Sequence, residues 1–282
     1  MDDELFKLVY HTAFQLAPTR RKRLQFSDSF ILCIYFWAVI RNKPMAWACH
    51  RANAPRALKG LPLPSCSTLC RRLRSDAVQQ LLDQLENELT RTIQTCLICC
   101  WMIDAKPLPV SPYSKDRHAK RGWAYKGFAR GYKLFAICDI NQRIVGWQVH
   151  AMNKAEPAVA RTMLEHLDRP GYLLGDSIYD STPLHEAARQ RDVQLIAPRK
   201  DPAGNIGRRA RHPSRLHAIA MLETFCNGFG PALYAKRTGI ERAFSRLAAS
   251  DIGLDHLPGW VRGLSRVRRW VQAKLILYAL RR

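Results

Sequence analysis

Two short apolar runs that each end abruptly at a carboxylate constrain this chain's fold more than any other feature. Residues 96–103 are apolar nearly throughout and lead into Asp104-Ala105-Lys106-Pro107. Residues 172–174 lead into Gly175-Asp176, and shortly afterwards into Asp180-Ser181-Thr182-Pro183. An apolar run without alternation reads as a strand buried on both faces, inside a sheet that helices cover on both sides. A carboxylate at the end of such a strand stands where α/β sheets present their chemistry. Asp180 precedes a Ser/Thr-Pro helix opening and reads as a cap for that helix. Asp176 reads as a functional acid, because two other carboxylates occupy matching contexts. One is Asp104. The other is Glu241, where Ile240, Phe244 and Leu247 recur at helical spacing and set the acid beside an apolar face. Converging carboxylates need a counter-charge, and divalent metal held by oxygen ligands is the usual one.

The order of elements gives those acids a frame. Residues 1–95 read as helices: 3–16, an apolar helix at 30–41 capped by Ser27 or Asp28, a short one at 44–50, and a capped basic one at 65–74. An amphipathic helix follows at 77–95. A short helix, a turn and then a basic helix with Ser65 at its start form a helix-turn-helix-like layout, whose second helix enters the major groove. Arg71, Arg72 and Arg74 are its candidate DNA contacts. From residue 96 on, strands are expected at 96–103, 131–139, 143–150, 172–174 and 194–198, with helices at 157–167 and 183–191 and a late helix carrying Glu241. A polar, basic excursion occupies 111–128. This is an RNase H-like mixed sheet with flanking helices. In it the strands of Asp104 and Asp176 lie side by side while the late helix packs across. The expected organisation is a helical DNA-binding domain at 1–95 and a catalytic domain at 96–282, with a basic insertion at about 199–230.

Charge narrows the partner. Lys+Arg 45 against Asp+Glu 23 gives +22, far beyond what solubility needs, and predicts a polyanion, nucleic acid before membrane. The charge gathers at 20–23, 115–133, 199–215 and 262–282. No apolar segment is long enough to span a bilayer. The acidic start Met1-Asp2-Asp3-Glu4 is unlike a secretory signal, so a cytoplasmic, nucleoid-associated protein is expected. Nine cysteines include the half-site Cys96-x2-Cys99 and the near match Cys66-x3-Cys70. Their apolar settings favour buried thiols over structural zinc.

These motifs resemble those of bacterial insertion-sequence transposases of the DDE class with a Tyr-x2-Arg-x3-Glu-x6-Lys signature. Met102-Ile103-Asp104-Ala105 is similar to the first acidic motif, residues 131–135 to the second-strand motif, and residues 173–181 to the second acidic motif, which selects Asp176. Tyr234, Arg237 and Glu241 fit the signature, while Ala248 stands at its lysine. The resemblance implies that Asp104, Asp176 and Glu241 are catalytic and hold two Mg2+ (or Mn2+) ions, with Tyr234 and Arg237 on phosphates. It implies double-stranded DNA with terminal inverted repeats as partner, bound by a homodimer, with no membrane. The implied activity is metal-dependent strand cleavage and strand transfer at the ends of an insertion sequence. A nuclease of the same fold, and a non-catalytic DNA-binding protein (a domesticated transposase or a regulator), are the alternatives.

Overall fold

The computed structural model describes residues 2–17, 24–91, 100–125, 127–207, 211–224 and 228–281. The basic run at 20–23, the cysteine pair at 96 and 99, and the helix end expected at 92–95 lie outside the described residues. The chain divides into two compact units: residues 1–95, 250–253 and 269–282 form the first, and 96–249 and 254–268 the second.

The first unit is helical. It opens with α1 (Asp2–Leu16), α2 (Asp28–Ile40), α3 (Met45–Ala48), α4 (Cys66–Arg72) and α5 (Asp76–Arg91). Helix α2 is apolar all round because it is buried all round. Its start is fixed by the Ser27 hydroxyl, which accepts the Phe30 N–H at 3.2 Å. The Phe6 ring meets Trp37 edge-on at 5.6 Å, and the Trp37 indole donates to the Asn53 carbonyl at 2.6 Å. Helix α4 opens at Ser65, whose hydroxyl accepts the Thr68 N–H at 3.2 Å.

The second unit is mixed α/β. Its strands are β1 (Cys100–Pro109), β2 (Lys120–Ala124), β3 (Gly127–Asp139), β4 (Ile144–Ala151), β5 (Gly171–Leu174) and β6 (Val193–Ile196). Helix α6 (Glu156–Met163) precedes β5, and α7 (Thr182–Arg189) precedes β6. After β6 come α8 (Pro213–Ile219), α9 (Phe229–Tyr234) and α10 (Thr238–Ala248). The strand order is β2-β3-β1-β5-β6, with β4 also on β3. β1 runs antiparallel to β3 and parallel to β5, which is in turn parallel to β6. Trp101, Ile103, Phe135, Ile137, Leu173 and Leu195 bury one sheet face against Val159, Met163, Leu184 and Ala188 of α6 and α7. Each large side chain so buried contributes roughly 1.5–3 kcal/mol.

Helix α11 (Leu264–Leu280) closes the chain, and its residues 269–280 belong to the helical unit. The expectation that everything after residue 96 forms one domain therefore fails for the C-terminal segment. The physical reason is its interior: Lys274 is fully buried and its ammonium donates to Val39 O at 3.0 Å, Asn42 Oδ1 at 2.5 Å and Ile252 O. Gln272 donates to Asp83 Oδ1 at 2.8 Å and Glu86 Oε2 at 2.7 Å.

Two strand expectations are also corrected. β1 does not stop at Asp104 but continues to Pro109, paired with β3 throughout. Val110 N–H bonds Arg130 O, so by the antiparallel alternation the odd residues of β1 turn their amide positions away from β3. β5 pairs with β1 only over Cys100–Met102. Pro107 thus sits where no ladder partner needs an N–H, and the strand passes through it. The excursion at 111–128, for its part, contains β2. Among the described residues no helix is long and apolar enough to cross a membrane.

Candidate active site

The register of β1 on β5 pairs Met102 with Leu174. Two residues further along each parallel strand direction stand Asp104 and Asp176, so both acids lie at matched positions on adjacent chain segments. Met102 and Asp104 share a face of β1 by strand period. Helix α10 packs on that face: a Cβ added at Gly239 would lie 3.1 Å from the Met102 sulfur. Gly175 lets the chain turn tightly after β5, since a Cβ there would meet the Tyr179 side chain at 2.9 Å. Asp176 then caps the turn, its Oδ1 accepting the Ile178 N–H at 2.9 Å.

The charges around this corner act on one another. Burial pushes the Asp104 carboxyl up to about 7; the Ala105 N–H and Arg237 oppose the shift, and the negative charges of Asp176 and Glu156 add to it. The Tyr234 phenol is raised by burial, with Asp176 and Glu241 adding to the shift and Arg237 opposing it. Asp104, Asp176, Tyr234, Arg237 and Glu241 thus form one electrostatic group.

Glu241 is paired with a cation of its own helix. Its Oε1 accepts from Arg237 Nη2 at 2.5 Å, and its side chain is half exposed. Among the described residues no three Asp, Glu, His or Cys side chains gather closely enough to hold a metal ion. The Arg237 guanidinium, four residues back on the same helical face, pairs with the Glu241 carboxylate.

Sequence reasoning missed a fourth acid. Glu156, at the start of α6, accepts from Lys133 Nζ at 2.6 Å and from the Tyr179 hydroxyl at 3.2 Å, and its charge reaches Asp104. Lys133 lies in β3 and is buried, as is Tyr179. A lysine inside the otherwise apolar run of β3 was the available signal, because a buried ammonium needs an acidic partner. Asp180 was misread in a different way. Its carboxylate does not cap α7; buried, it takes both Nε and Nη2 of Arg215 at 2.6 Å and the Lys200 N–H at 3.3 Å. Arg215 and Arg199, which binds Glu223 at 2.6 Å, are therefore committed to anchoring the 199–230 insertion, leaving Lys200 and Arg211 exposed there.

The three helical-unit arginines divide as well. Arg71 and Arg74 are exposed. Arg72 is not available: it donates to Asp28 Oδ1 at 2.5 Å and to Phe26 O at 3.1 Å, locking α4 to the start of α2. The sulfurs of Cys66 and Cys70 lie 3.9 Å apart, and neither is in a disulfide.

Residues 97–280 match the family model described as the transposase DDE domain. A comparison with curated proteins gives no match. Among solved structures, the piggyBac transposase synaptic complex with hairpin DNA aligns with 99% of this chain and 70% of its own, at 8% identity and a TM-score of 0.50. A pre-cleavage Mos1 transpososome aligns over 83% of this chain and 81% of its own, at 12% identity and a TM-score of 0.25.

Proposed function

Because the chain belongs to the transposase DDE-domain family, we propose that it is a DNA transposase of RNase H-like fold that cleaves the ends of an insertion sequence and joins them to target DNA. The observation that carries this reading is the pair Asp104 and Asp176, each two residues beyond the paired Met102 and Leu174 of the parallel strands β1 and β5, with the charge of Asp176 acting on Asp104 and on Tyr234. The helix-turn-helix-like layout of α3 and α4 is read as the end-recognition element, supported by the exposed Arg71 and Arg74.

The two aspartates suit a hard divalent cation. They offer oxygen donors only, and Asp104 is buried beside other negative charge with its proton affinity raised in consequence. Asp104 and Asp176 would hold two Mg2+ or Mn2+ ions, with Glu241 as third ligand after leaving Arg237. When bound, such ions activate an attacking oxygen and stabilise the leaving one in an in-line displacement at phosphorus. The protein's own groups do the remaining work. Arg237, once free of Glu241, presents a guanidinium fork to a phosphate beside Asp104, and Tyr234 orients that fork. Glu156, gripped by Lys133 and Tyr179, keeps negative charge behind Asp104 so that the corner favours cations. The chain's net charge of +22 draws the DNA in.

Glu241→Gln tests the reading. DNA-end binding should hold, while cleavage and joining both fall by at least ~10²-fold, more than the loss typical of an outer-shell partner. Labelled ends with Mg2+ or Mn2+ read both steps. Cleavage without joining by the wild type would make the protein a nuclease of the same fold. Binding without either step would make it a non-catalytic DNA-binding protein. A homodimer on paired inverted repeats is expected, and sizing of the DNA complex reads it.

A further inference from the structure

The tip of the β2–β3 hairpin carries large aromatic side chains that the core does not use. Trp123, Tyr125 and Phe128 are 61%, 64% and 72% exposed. Trp123 and Phe128 are cross-strand partners whose rings meet edge-to-face at 5.6 Å. Gly127 closes the hairpin at φ +142°, a conformation open to glycine.

The support beneath them is rigid. Gly122 lies against β4's exit, where a Cβ would meet Met152 O at 2.4 Å, so the neighbouring Trp123 points to the opposite face. The Arg130 guanidinium donates to Ser114 O at 2.8 Å, Ala119 O at 3.1 Å and Asp116 O at 2.5 Å. Asp116 in turn accepts from the Tyr132 hydroxyl and the Gly263 N–H, each at 2.7 Å. The segment's one carboxylate is thereby buried and occupied. What remains outside is cationic: Lys115, Arg117, Lys120 and Arg121 are exposed. A cationic aromatic patch on a chain of net charge +22 repels a second copy of itself and suits a polyanion.

The patch is also tied to the acidic corner. Lys106 lies two residues beyond Asp104 on the same face of β1 and is only 4% exposed. Its Nζ donates to the Tyr125 hydroxyl at 3.1 Å and sits 5.6 Å from that ring's centroid, with Asp255 Oδ1 at 3.5 Å.

We propose that the β2–β3 hairpin stacks unpaired bases of a DNA end, holding the strand whose backbone reaches Asp104 and Asp176. The proposal rests on the DNA-processing reading and adds unpaired nucleotides as the ligand. Duplex phosphates need only cations, whereas exposed aromatic rings among cations bind unstacked bases with little regard to sequence.

The test uses the intact chain and two duplexes of one sequence, one blunt and one with a short 3′ single-stranded extension containing 2-aminopurine. The wild type should prefer the extension by about tenfold and quench its fluorescence by stacking. Trp123→Ala combined with Phe128→Ala should abolish both the preference and the quenching, with blunt-duplex affinity kept within about twofold, since no phosphate contact is removed. Trp123→Phe, which retains a ring, should keep most of the preference. Persistence of the preference in the double variant overturns the proposal. So does a double variant whose only change is the sedimentation of the free protein, which would make the patch a protein contact. A wild type that binds neither duplex overturns the DNA-processing reading itself.

Discussion

Asp104 is the residue on which the proposed chemistry turns, and its proton is the most accessible handle on it. Burial, with Asp176 and Glu156 adding to it, raises its carboxyl to about 7, above the ordinary value of 3.8 that it regains on unfolding. An acid whose folded value is raised contributes stability that is complete below about pH 4 and lost as pH climbs through about 7. The metal-free protein should therefore lose a few kcal/mol between those limits from this group alone. Asp104→Asn should flatten that part of the pH–stability profile, as read by thermal melts. Magnesium should raise the melting temperature of the wild type at pH 8, raise it much less at pH 5.5 where protons compete, and leave Asp104→Asn unmoved. A wild-type response that ignores pH would detach the ion from Asp104. Glu156 belongs to the same scale. Glu156→Gln removes charge behind Asp104 and loosens the grip of Lys133 and Tyr179, so activity should fall about 10–100-fold at unchanged DNA affinity.

At the scale of elements, buried ion pairs separate the charges that hold the fold from the exposed ones proposed to meet DNA. Arg215→Met strands the buried Asp180 carboxylate and should cost about 3–5 kcal/mol in denaturant melts. Burial alone would raise Asp180, but the Arg215 guanidinium holds it well below the usual carboxylate range. Its stabilising contribution is present above about pH 4 and lost as pH falls below that, opposite in sign to Asp104. On and just after α4, Arg71→Ala with Arg74→Ala should leave stability unchanged and reduce the salt slope of DNA binding by about 2, while Arg72→Ala should instead destabilise by about 1–3 kcal/mol through Asp28 and Phe26 O. Most elements were legible because their apolar periods were clean, as in residues 131–139 and in the Ile240, Phe244, Leu247 spacing. The extension of β1 through Pro107 was not, because proline's penalty in a strand depends on which edge its amide faces, a property of the neighbour. β2 was hidden because its buried positions are the small Gly122 and Ala124 while the large Trp123 is exposed, so no apolar alternation marks it.

For the whole molecule, the two units share the chain's end: residues 269–282 belong with the helices although they follow the sheet in sequence. A fragment ending at residue 95 would lack Lys274 and Gln272, so the proposed DNA-binding role of the helices is tested only in the intact chain. The candidate acids stood out in the sequence because each adjoins an apolar run, although Asp104 lies inside β1 rather than at its end. Its wiring was not, since Lys133–Glu156–Tyr179, Arg237–Glu241 and Arg215–Asp180 join positions whose pairing only the fold decides. The central claim is that Asp104 and Asp176 work as one site on DNA. The most direct measurement is cleavage of a plasmid carrying the expected terminal inverted repeats, with Mg2+, by the wild type and by Asp176→Asn at matched DNA occupancy. The wild type should nick at the repeat ends while Asp176→Asn binds equally and cuts at least ~10²-fold more slowly, as expected for loss of a direct ligand. Near-normal nicking by Asp176→Asn would contradict the account.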